Sequence, residues 1–265
     1  MLVRLEQLNF KEHGFVLCYP RPSKAEFEVR LKELHQLGVE ALEFSGGKLI
    51  GRLQVLGKGN SALILTAWAG GEKFALKVRR IDSGKPDVSH EAQLTRAANE
   101  VGVGPKLYAS TRNMLLMELI EGLNLLKWLG LPNGKPPRKG EVLGFLSNIL
   151  WQCKRMDAAG IDHGELSRAL KHVVIKRDGK PCILDFEKAS LRRRPSNVTS
   201  LTQFLLLKGM IASKITQILG PLNKQDLIRR LKDYKANPLD ENFQKILSFL
   251  TSKEGGGCST SIFYQ

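Results

Sequence analysis

Three charged residues lie in sequence surroundings that point to chemistry. Lys77 lies within an apolar run, Glu91 follows in a stretch with helical periodicity, and Asp185 ends a second apolar run. A lysine inside an apolar strand either faces solvent at a sheet edge or is buried beside an anion, because an unpaired buried charge is costly. A carboxylate such as Glu91, together with a phosphate group, would supply that anion. Unless all three are ordinary solvated charges, they predict a phosphate-binding site.

A glycine-rich segment precedes Lys77 by about twenty residues. It consists of Gly57, Lys58, Gly59, Asn60 and Ser61. Glycine lets backbone N–H groups approach phosphate oxygens without a side chain in the way. No GK[ST] sequence opens a helix here, so the segment is not a Walker A loop. It predicts either a phosphate-binding loop between two strands or an ordinary glycine hairpin turn.

A second polar segment follows the longest helical pattern of the chain. It contains His163, Gly164 and Glu165. A loop of this type can place a carboxylate where it orients or deprotonates a hydroxyl group, and a plain polar turn is the alternative. Asp185 comes about twenty residues later, and a carboxylate at a strand end can hold Mg²⁺ against phosphates.

The order of these segments resembles that of the small atypical protein kinases, the RIO family and the kinase subunit of the KEOPS tRNA-modification complex. The resemblance covers about residues 49–190 and includes a Met-Glu-Leu-Ile-Glu-Gly segment at residues 117–122 and a Val-Gly-Pro-Lys segment at residues 103–106. The other matching segments are Gly57-x-Gly59, Ala75-x-Lys77, Glu91, His163-Gly164-Glu165-Leu166 and Leu184-Asp185-Phe186. The resemblance implies a Ser/Thr protein kinase of archaeal type.

The resemblance also implies how the chain would bind ATP with Mg²⁺ or Mn²⁺. Residues 57–61 would cover the triphosphate, and Lys77 would contact the α- and β-phosphates while pairing with Glu91. Asp185 would bind the metal that bridges the phosphates, and Glu165 would be the catalytic carboxylate. The adenine would contact the backbone of a hinge and an apolar neighbour, at Glu118, Leu119 and Ala75.

Several positions depart from the family pattern. Glu165 replaces an aspartate, and the extra methylene shifts the carboxylate by about 1 Å, which can cost on the order of 100-fold in rate. The metal-binding asparagine corresponds either to Leu170, which cannot ligate, or to His172. His172 is thus the candidate second metal residue beside Asp185, although imidazole is a poor Mg²⁺ ligand. Glu187 replaces the glycine that follows Asp-Phe.

The elements around these residues predict an α+β, two-lobed, protein-kinase-like fold with a short N-terminal α/β extension. The extension, residues 1–45, is read as a strand at 16–19, a helix from a Ser23 cap to about residue 37, and a further strand. Three strands at 49–56, 62–68 and 73–78 form an antiparallel meander. Residues 46–122 then form the small lobe with its hinge, and residues 123–253 form a minimal, mainly helical lobe.

The rest of the pattern fills in these lobes. Helices are predicted at residues 87–101 and 142–159, because apolar residues recur there at three- and four-residue intervals. A strand is predicted at 114–119 and a hairpin at 173–184, around Asp178-Gly179. Helices follow residue 194, through about 217 and again from 225 to 250. Residues 254–265 are predicted to be a flexible tail.

The bulk composition narrows the class of protein. The net charge is +15 at pH 7, which favours polyanionic partners such as RNA or a ribonucleoprotein. The four cysteines form no CxxC pair, which excludes the usual zinc spacings and predicts free thiols. No apolar run reaches about 18 residues and no signal-peptide core is present, so we expect no membrane contact and a cytoplasmic protein.

The sequence therefore leaves three functions open. The first is an ATP-dependent atypical Ser/Thr protein kinase, or an ATPase, with a protein substrate. The second is a pseudokinase that binds nucleotide and acts as a scaffold in a ribonucleoprotein or regulatory complex, which the departures at Glu165 and Leu170 favour. The third is a small-molecule phosphotransferase of the aminoglycoside type, which usually needs a larger C-terminal part than the 80 residues after Asp185.

Overall fold

The computed structural model describes residues 1–251 of the chain. The tail predicted for residues 254–265 and Cys258 lie outside the described residues. The chain has a mixed α+β fold with an antiparallel sheet, and it divides into two compact units. The first unit comprises Met1–Gly122 and Cys182–Leu191, and the second comprises Leu123–Pro181 and the chain from Arg192 onwards.

The first unit is built on a seven-stranded antiparallel sheet, with a separate two-stranded sheet beside it in the sequence. Its elements are β1 (Leu2–Arg4), α1 (Phe10–Leu17), α2 (Lys24–Gln36), β2 (Ala41–Glu43), β3 (Lys48–Ile50), β4 (Leu53–Val55), β5 (Gly57–Lys58), β6 (Ala62–Ala69), β7 (Glu72–Arg79), α3 (Ser89–Glu100), β8 (Leu107–Ser110) and β9 (Met114–Glu118). The strand order in the large sheet is β1-β2-β6-β7-β9-β8, with β5 paired to β6, and the small sheet pairs β3 with β4.

The predicted strand at residues 16–19 is wrong, because residues 16 and 17 lie in the last turn of α1 and residues 18 and 19 form a turn. The helix begins at Asn9, whose side chain accepts a hydrogen bond from the Glu12 N–H. This is the Asx-x-x-Glu capping pattern, and it outweighs the strand preference of the apolar residues. The predicted α2 is confirmed: Ser23 accepts from the Glu26 N–H, and Gly38 ends the helix at a φ of +67°.

Residues 1–45 share their hydrophobic core with the sheet of the first unit. Leu17 and Leu34, from α1 and α2, are fully buried in one cluster with Leu65 and Leu76 of the central strands. The buried Arg30 joins the same layers, since its guanidinium donates to the Leu17 carbonyl at 2.5 Å and to the Arg79 carbonyl at 2.6 Å. The N-terminal residues therefore belong to the first unit in both packing and hydrogen bonding.

The single strand predicted at residues 49–56 is also wrong. The segment forms the hairpin β3–β4 with a turn at Gly51, whose φ is +61°. Glycine adopts this backbone conformation at little cost, and sequence periodicity alone does not register such a turn. The other two strands of the predicted meander are confirmed as β6 and β7, which pair antiparallel over eight residues each.

The second unit is mainly helical. Its elements are β10 (Gly122–Asn124), α4 (Leu125–Trp128), α5 (Lys139–Ala158), a 3-10 helix (Leu166–Lys171), β11 (Val173–Lys176), β12 (Pro181–Ile183), α6 (Asn197–Leu206), α7 (Gly209–Leu219), α8 (Lys224–Ala236) and α9 (Asp240–Thr251). Of these, β10 and β12 span the boundaries between the two units along the chain. The predicted apolar face of α5 is buried at Leu143, Leu146, Ile149, Leu150 and Cys153. The predicted hairpin turn is confirmed, because the Lys176 N–H donates to the Lys180 carbonyl at 2.9 Å.

Two further findings concern membranes and thiols. Within residues 1–251, no helix combines the length and the apolar character that a bilayer crossing requires. Cys18, Cys153 and Cys182 are free and buried. The prediction of free thiols is confirmed for these three.

Candidate functional site

Lys77 is buried at the centre of the sheet in the first unit. It lies on β7, paired with Ile64 of β6 on one side and with Leu115 of β9 on the other. Its exposure is only 6%. The edge-strand alternative is therefore excluded, and the lysine requires anionic partners.

Three carboxylates surround the Lys77 ammonium group. Its Nζ lies 2.6 Å from Glu91 Oε1, 3.0 Å from Asp185 Oδ1 and 3.6 Å from Glu187 Oε2. Burial alone would lower the pKa of Lys77, but the three carboxylates outweigh it and raise the pKa above its ordinary value. The structure thus brings together the three residues that the sequence singled out and adds a fourth.

Helix α3 holds Glu91 against this cluster. Glu91 lies in the first turn of the helix and is 5% exposed, where the aligned peptide dipoles favour a negative charge. Asp87 Oδ1 accepts from the Ser89 N–H at 2.9 Å and covers an N–H of the first turn. The inward face of the helix is buried and includes Ala92 and Thr95. Glu91 therefore reaches Lys77 from a rigid, packed element.

Asp185 has an unusual backbone conformation. Its φ is +70°, and among residues 1–251 no other residue except glycine has a positive φ. Non-glycine residues pay for this left-handed region, and such strain is concentrated at functional sites. The next residue, Phe186, is 1% exposed and packs against Gly104, where an added Cβ would lie 2.6 Å from Phe186 Cε2. The buried ring anchors the segment that carries Asp185.

Glu187 is the fourth member of the cluster, and its role was not predicted. Its carboxylate accepts a hydrogen bond from the Ser61 hydroxyl. Lys85 Nζ lies 3.0 Å from Glu187 Oε1 and donates to the Glu187 carbonyl, also at 3.0 Å. Burial raises the pKa of Glu187, but the Ser61 hydroxyl and the lysines Lys77 and Lys85 together hold it below its ordinary value. Its side chain is therefore an anion that links the glycine-rich segment to Lys77.

The glycine-rich segment forms the tight connection between β5 and β6. The Gly59 N–H donates to the Ala62 carbonyl at 2.8 Å, and the Arg80 guanidinium donates to the Gly59 carbonyl at 2.9 Å. Lys58 Nζ donates to the Tyr19 hydroxyl at 2.6 Å, and the Arg80 guanidinium lies over the Tyr19 ring, 4.9 Å from its centre. Tyr19 of the N-terminal segment, together with Arg80, thus holds the tip of this connection. Asn60 and Ser61 complete it.

The predicted hinge residues lie at the end of β9. The Glu118 N–H donates to the Lys106 carbonyl at 2.8 Å, so it is already engaged within the first unit. Leu119 follows directly and is half-buried, and Ala75 is buried on β7 opposite Met117. If a ligand forms hinge hydrogen bonds here, groups other than the Glu118 N–H must provide them.

Glu165 and His172 belong to the second unit, on either side of the 3-10 helix. Glu165 Oε2 lies 3.8 Å from His172 Nε2, and the rings of His172 and His163 are 5.5 Å apart. Leu170 lies within the 3-10 helix. The structure therefore brings the unusual carboxylate and the candidate imidazole together.

A buried network in the second unit holds the segment before Glu165. Asn197 accepts from the His163 N–H at 2.9 Å and donates to the Ile161 carbonyl at 2.6 Å. Asp157 in turn accepts from the Asn197 side chain at 2.7 Å and from the Tyr234 hydroxyl at 3.0 Å. Asn197 belongs to none of the motifs on which the sequence predictions rest. No local pattern indicates a partner 34 residues away.

The carboxylates of the first unit also suit a metal ion. Oxygens from Glu91, Asp185 and Glu187 lie within 4.8 Å of one another. Carboxylate oxygens are the ligands that Mg²⁺ and related hard cations prefer. The donor set therefore fits the metal that an ATP complex would bring.

Comparison with known proteins adds no family. No protein-family model matches the chain, and no curated protein matches it. The interpretation of the site consequently depends on its own geometry.

Proposed function

We propose that the chain is an ATP-dependent phosphotransferase with a two-lobed, protein-kinase-like fold of the RIO and KEOPS-kinase type, transferring the γ-phosphate of ATP to a Ser or Thr hydroxyl of a protein. The observation that carries this proposal is the buried Lys77 ammonium group between Glu91 and Asp185. A fully charged lysine in this position offers a fixed cation for phosphate oxygens. The carboxylate of Glu91, on helix α3, keeps the Lys77 ammonium group in place.

In this proposal the residues of the first unit bind the nucleotide. Lys77 contacts the phosphates, and residues 57–61 lie over them, where the lack of side chains at Gly57 and Gly59 lets phosphate oxygens come close. Asp185 supplies the carboxylate for Mg²⁺ or Mn²⁺, since its side chain is 37% exposed and accessible to an ion. The metal, when bound with ATP, offsets the negative charge of the phosphates.

Residues of the second unit act on the substrate hydroxyl. Glu165 orients the hydroxyl and accepts its proton. Asn197 fixes the backbone of the residues that precede Glu165, through its hydrogen bonds to Ile161 and His163. His172 lies next to Glu165, where it contacts the carboxylate rather than acting as a hard-metal ligand. The Glu165 side chain is one methylene longer than that of an aspartate. The backbone of Glu165 must therefore lie further from the substrate hydroxyl than the backbone of an aspartate would.

The proposal is tested by incubating the pure protein with labelled ATP and Mg²⁺ or Mn²⁺. We expect transfer to the protein itself, to added protein substrates, or release of phosphate. The variants Lys77→Ala and Asp185→Ala should lose this activity by at least 100-fold, because each removes a charge that positions the phosphates. Lys73→Ala is the matched control, since Lys73 lies on the same strand but pairs with Glu43 at 3.0 Å. Full activity in both test variants would reject the proposal.

A pseudokinase is the second candidate, and a specific observation favours it. The Lys77 ammonium group has three N–H donors, and three carboxylates already lie within 3.6 Å of it. Such a site is stable without a nucleotide. This candidate predicts that ATP raises the melting temperature while no phosphate is transferred or released by the wild type. Turnover that appears in Glu165→Asp would identify a degraded enzyme, whereas wild-type turnover excludes this candidate.

A further inference from the structure

The charges around Lys77 do not balance. Within this cluster, Lys77 and Lys85 carry two positive charges, and Glu91, Asp185 and Glu187 carry three negative charges. The excess is negative although the proposed ligand is an anion. Glu187 creates that excess, and it stands at the position where the resembling kinases have glycine.

We propose that Glu187 makes this site select the metal-bound nucleotide and reject the free nucleotide. This inference rests on the proposed function, because it concerns how the same site discriminates between two forms of its ligand. Free ATP carries about four negative charges at neutral pH, whereas its Mg²⁺ complex carries about two. A fixed carboxylate beside the phosphate position opposes the first form far more than the second.

The position of Glu187 supports this role. Its carboxylate lies 3.6 Å from Lys77 Nζ and accepts from the Ser61 hydroxyl of the glycine-rich segment. A phosphate that reaches both Lys77 and this segment must therefore lie next to the carboxylate or displace it. The Glu187 side chain is only 16% exposed, so water screens the repulsion weakly.

Lys85 offsets this charge only in part. Its Nζ lies 3.0 Å from Glu187 Oε1, but its side chain is 40% exposed. The Glu187 carboxylate and carbonyl hold this ammonium group, but water reaches it, so its field is screened more than that of the less exposed carboxylate. The carboxylate thus still opposes the phosphates of the free nucleotide.

A purely structural role for Glu187 gives a different expectation. If the residue only holds Ser61 and Lys85 in place, its loss would weaken the binding of both nucleotide forms by a similar factor. If it is a required metal ligand, its loss would weaken the metal complex and leave the free form unchanged. The three roles therefore differ in which of the two dissociation constants changes and in the direction of that change.

The experiment measures ATP binding by calorimetry, once with excess Mg²⁺ and once with EDTA, at constant ionic strength. In the wild type we expect a much larger Kd in EDTA. In Glu187→Gln, which keeps the shape of the side chain and an oxygen that can accept from Ser61, we expect the Kd in EDTA to fall at least tenfold. The Kd with Mg²⁺ should change less than threefold, so the preference for the metal complex decreases.

Two variants complete the test. Glu43→Gln is the matched control: Glu43 also pairs with a partly exposed lysine at 3.0 Å, and its loss should leave the ratio of the two Kd values unchanged. Glu187→Gly restores the residue of the resembling kinases and removes the same charge, so it should reproduce the effect if Glu187→Gln folds poorly. Thermal melting of each variant checks its folding.

The outcomes separate the two levels of the proposal. If wild type binds ATP but both Glu187 variants keep its ratio, or lose only the metal-bound form, the role proposed for Glu187 is overturned and the nucleotide site stands. If the wild type binds no nucleotide in either condition, the proposed function falls, and the inference falls with it.

Discussion

The packing of Phe186 against Gly104 restrains the backbone of Asp185. A side chain at position 104 would meet the buried ring at 2.6 Å, and Gly104 itself has a φ of +81°. Any movement of Phe186 is transmitted to the preceding residue, Asp185, whose left-handed conformation directs the carboxylate. The packing of two uncharged residues therefore sets the position of a charged one.

We expect Gly104→Ala to lower the free energy of unfolding by about 2 kcal/mol more than Gly38→Ala does. Gly38 also has a positive φ, +67°, but an added Cβ there meets nothing within 4 Å, so it reports the backbone cost alone. Urea unfolding monitored by circular dichroism measures both. Equal losses would show that the ring moves aside without cost.

The Cys18 thiol should be chemically inert in the folded protein. Burial raises the pKa of Cys18 to about 11, so at pH 8 only about one thiol in a thousand is ionised. As the pH rises towards 11 the thiolate fraction, and with it the reactivity, should increase. Alkylation with iodoacetamide followed by peptide mass spectrometry measures this. Labelling of Cys18 at pH 8 as fast as in urea would contradict the expectation.

At this scale the sequence predicted residue types better than partners. Lys77, Glu91 and Asp185 could be found because each is a charged residue with an informative position in its local pattern. Glu187 was recorded as a replaced glycine. Its contacts with Ser61 and Lys85 depend on the path of the chain after Phe186, which no local pattern encodes.

At the scale of elements, α2 acts as a clamp between the N-terminal segment and strand β7. Arg30 on this helix is fully buried and donates to the carbonyls of Leu17 and Arg79. Arg79 lies two residues after Lys77 on the same strand. The helix therefore supports the strand that carries the proposed nucleotide-binding lysine.

Arg30→Ala should lower the free energy of unfolding by about 3 kcal/mol, because two buried carbonyls and the Glu26 carboxylate lose their donor. Lys32→Ala, an exposed change on the same helix, should cost less than about 0.5 kcal/mol. Thermal and urea unfolding provide the comparison. A loss no greater than that of the Lys32 variant would show that the clamp contributes little.

The elements that were predicted correctly have strong local signals. The Ser23 cap and the Gly38 stop define α2, and the apolar face defines α5. The failures came where two signals competed. The apolar run near residue 16 resembles a strand, yet the helix that starts at the Asn9 cap extends into it. The apolar pattern of residues 49–56 resembles one strand, yet the turn at Gly51 divides it into two.

At the scale of the whole molecule, the positive charge is distributed unevenly. The first unit contains 18 basic and 16 acidic residues, a surplus of 2. The second contains 23 basic and 10 acidic residues, a surplus of 13. The second unit therefore carries 13 of the 15 excess positive charges, and we expect attraction to a polyanion such as RNA to arise there.

We expect the protein to bind heparin and RNA with an affinity that falls steeply with salt. Changing Lys180, Lys224 and Lys232 of the second unit to glutamate should lower the salt concentration that elutes the protein from heparin. The same change at Lys11, Lys24 and Lys48 of the first unit is the control, since all six residues are exposed. Equal shifts for the two sets would contradict a role for the second unit.

The first unit is also discontinuous along the chain, and this affects its synthesis. The segment Cys182–Leu191 belongs to it, although 59 residues of the other unit, Leu123–Pro181, come first. A ribosome that has released residues 1–122 has supplied Lys77 and Glu91, while Asp185, Phe186 and Glu187 are still untranslated. Until residues 182–191 are synthesised, the first unit therefore lacks two of the three carboxylates that neutralise Lys77. A fragment that ends at Gly122 would lack them permanently and could not form the complete site.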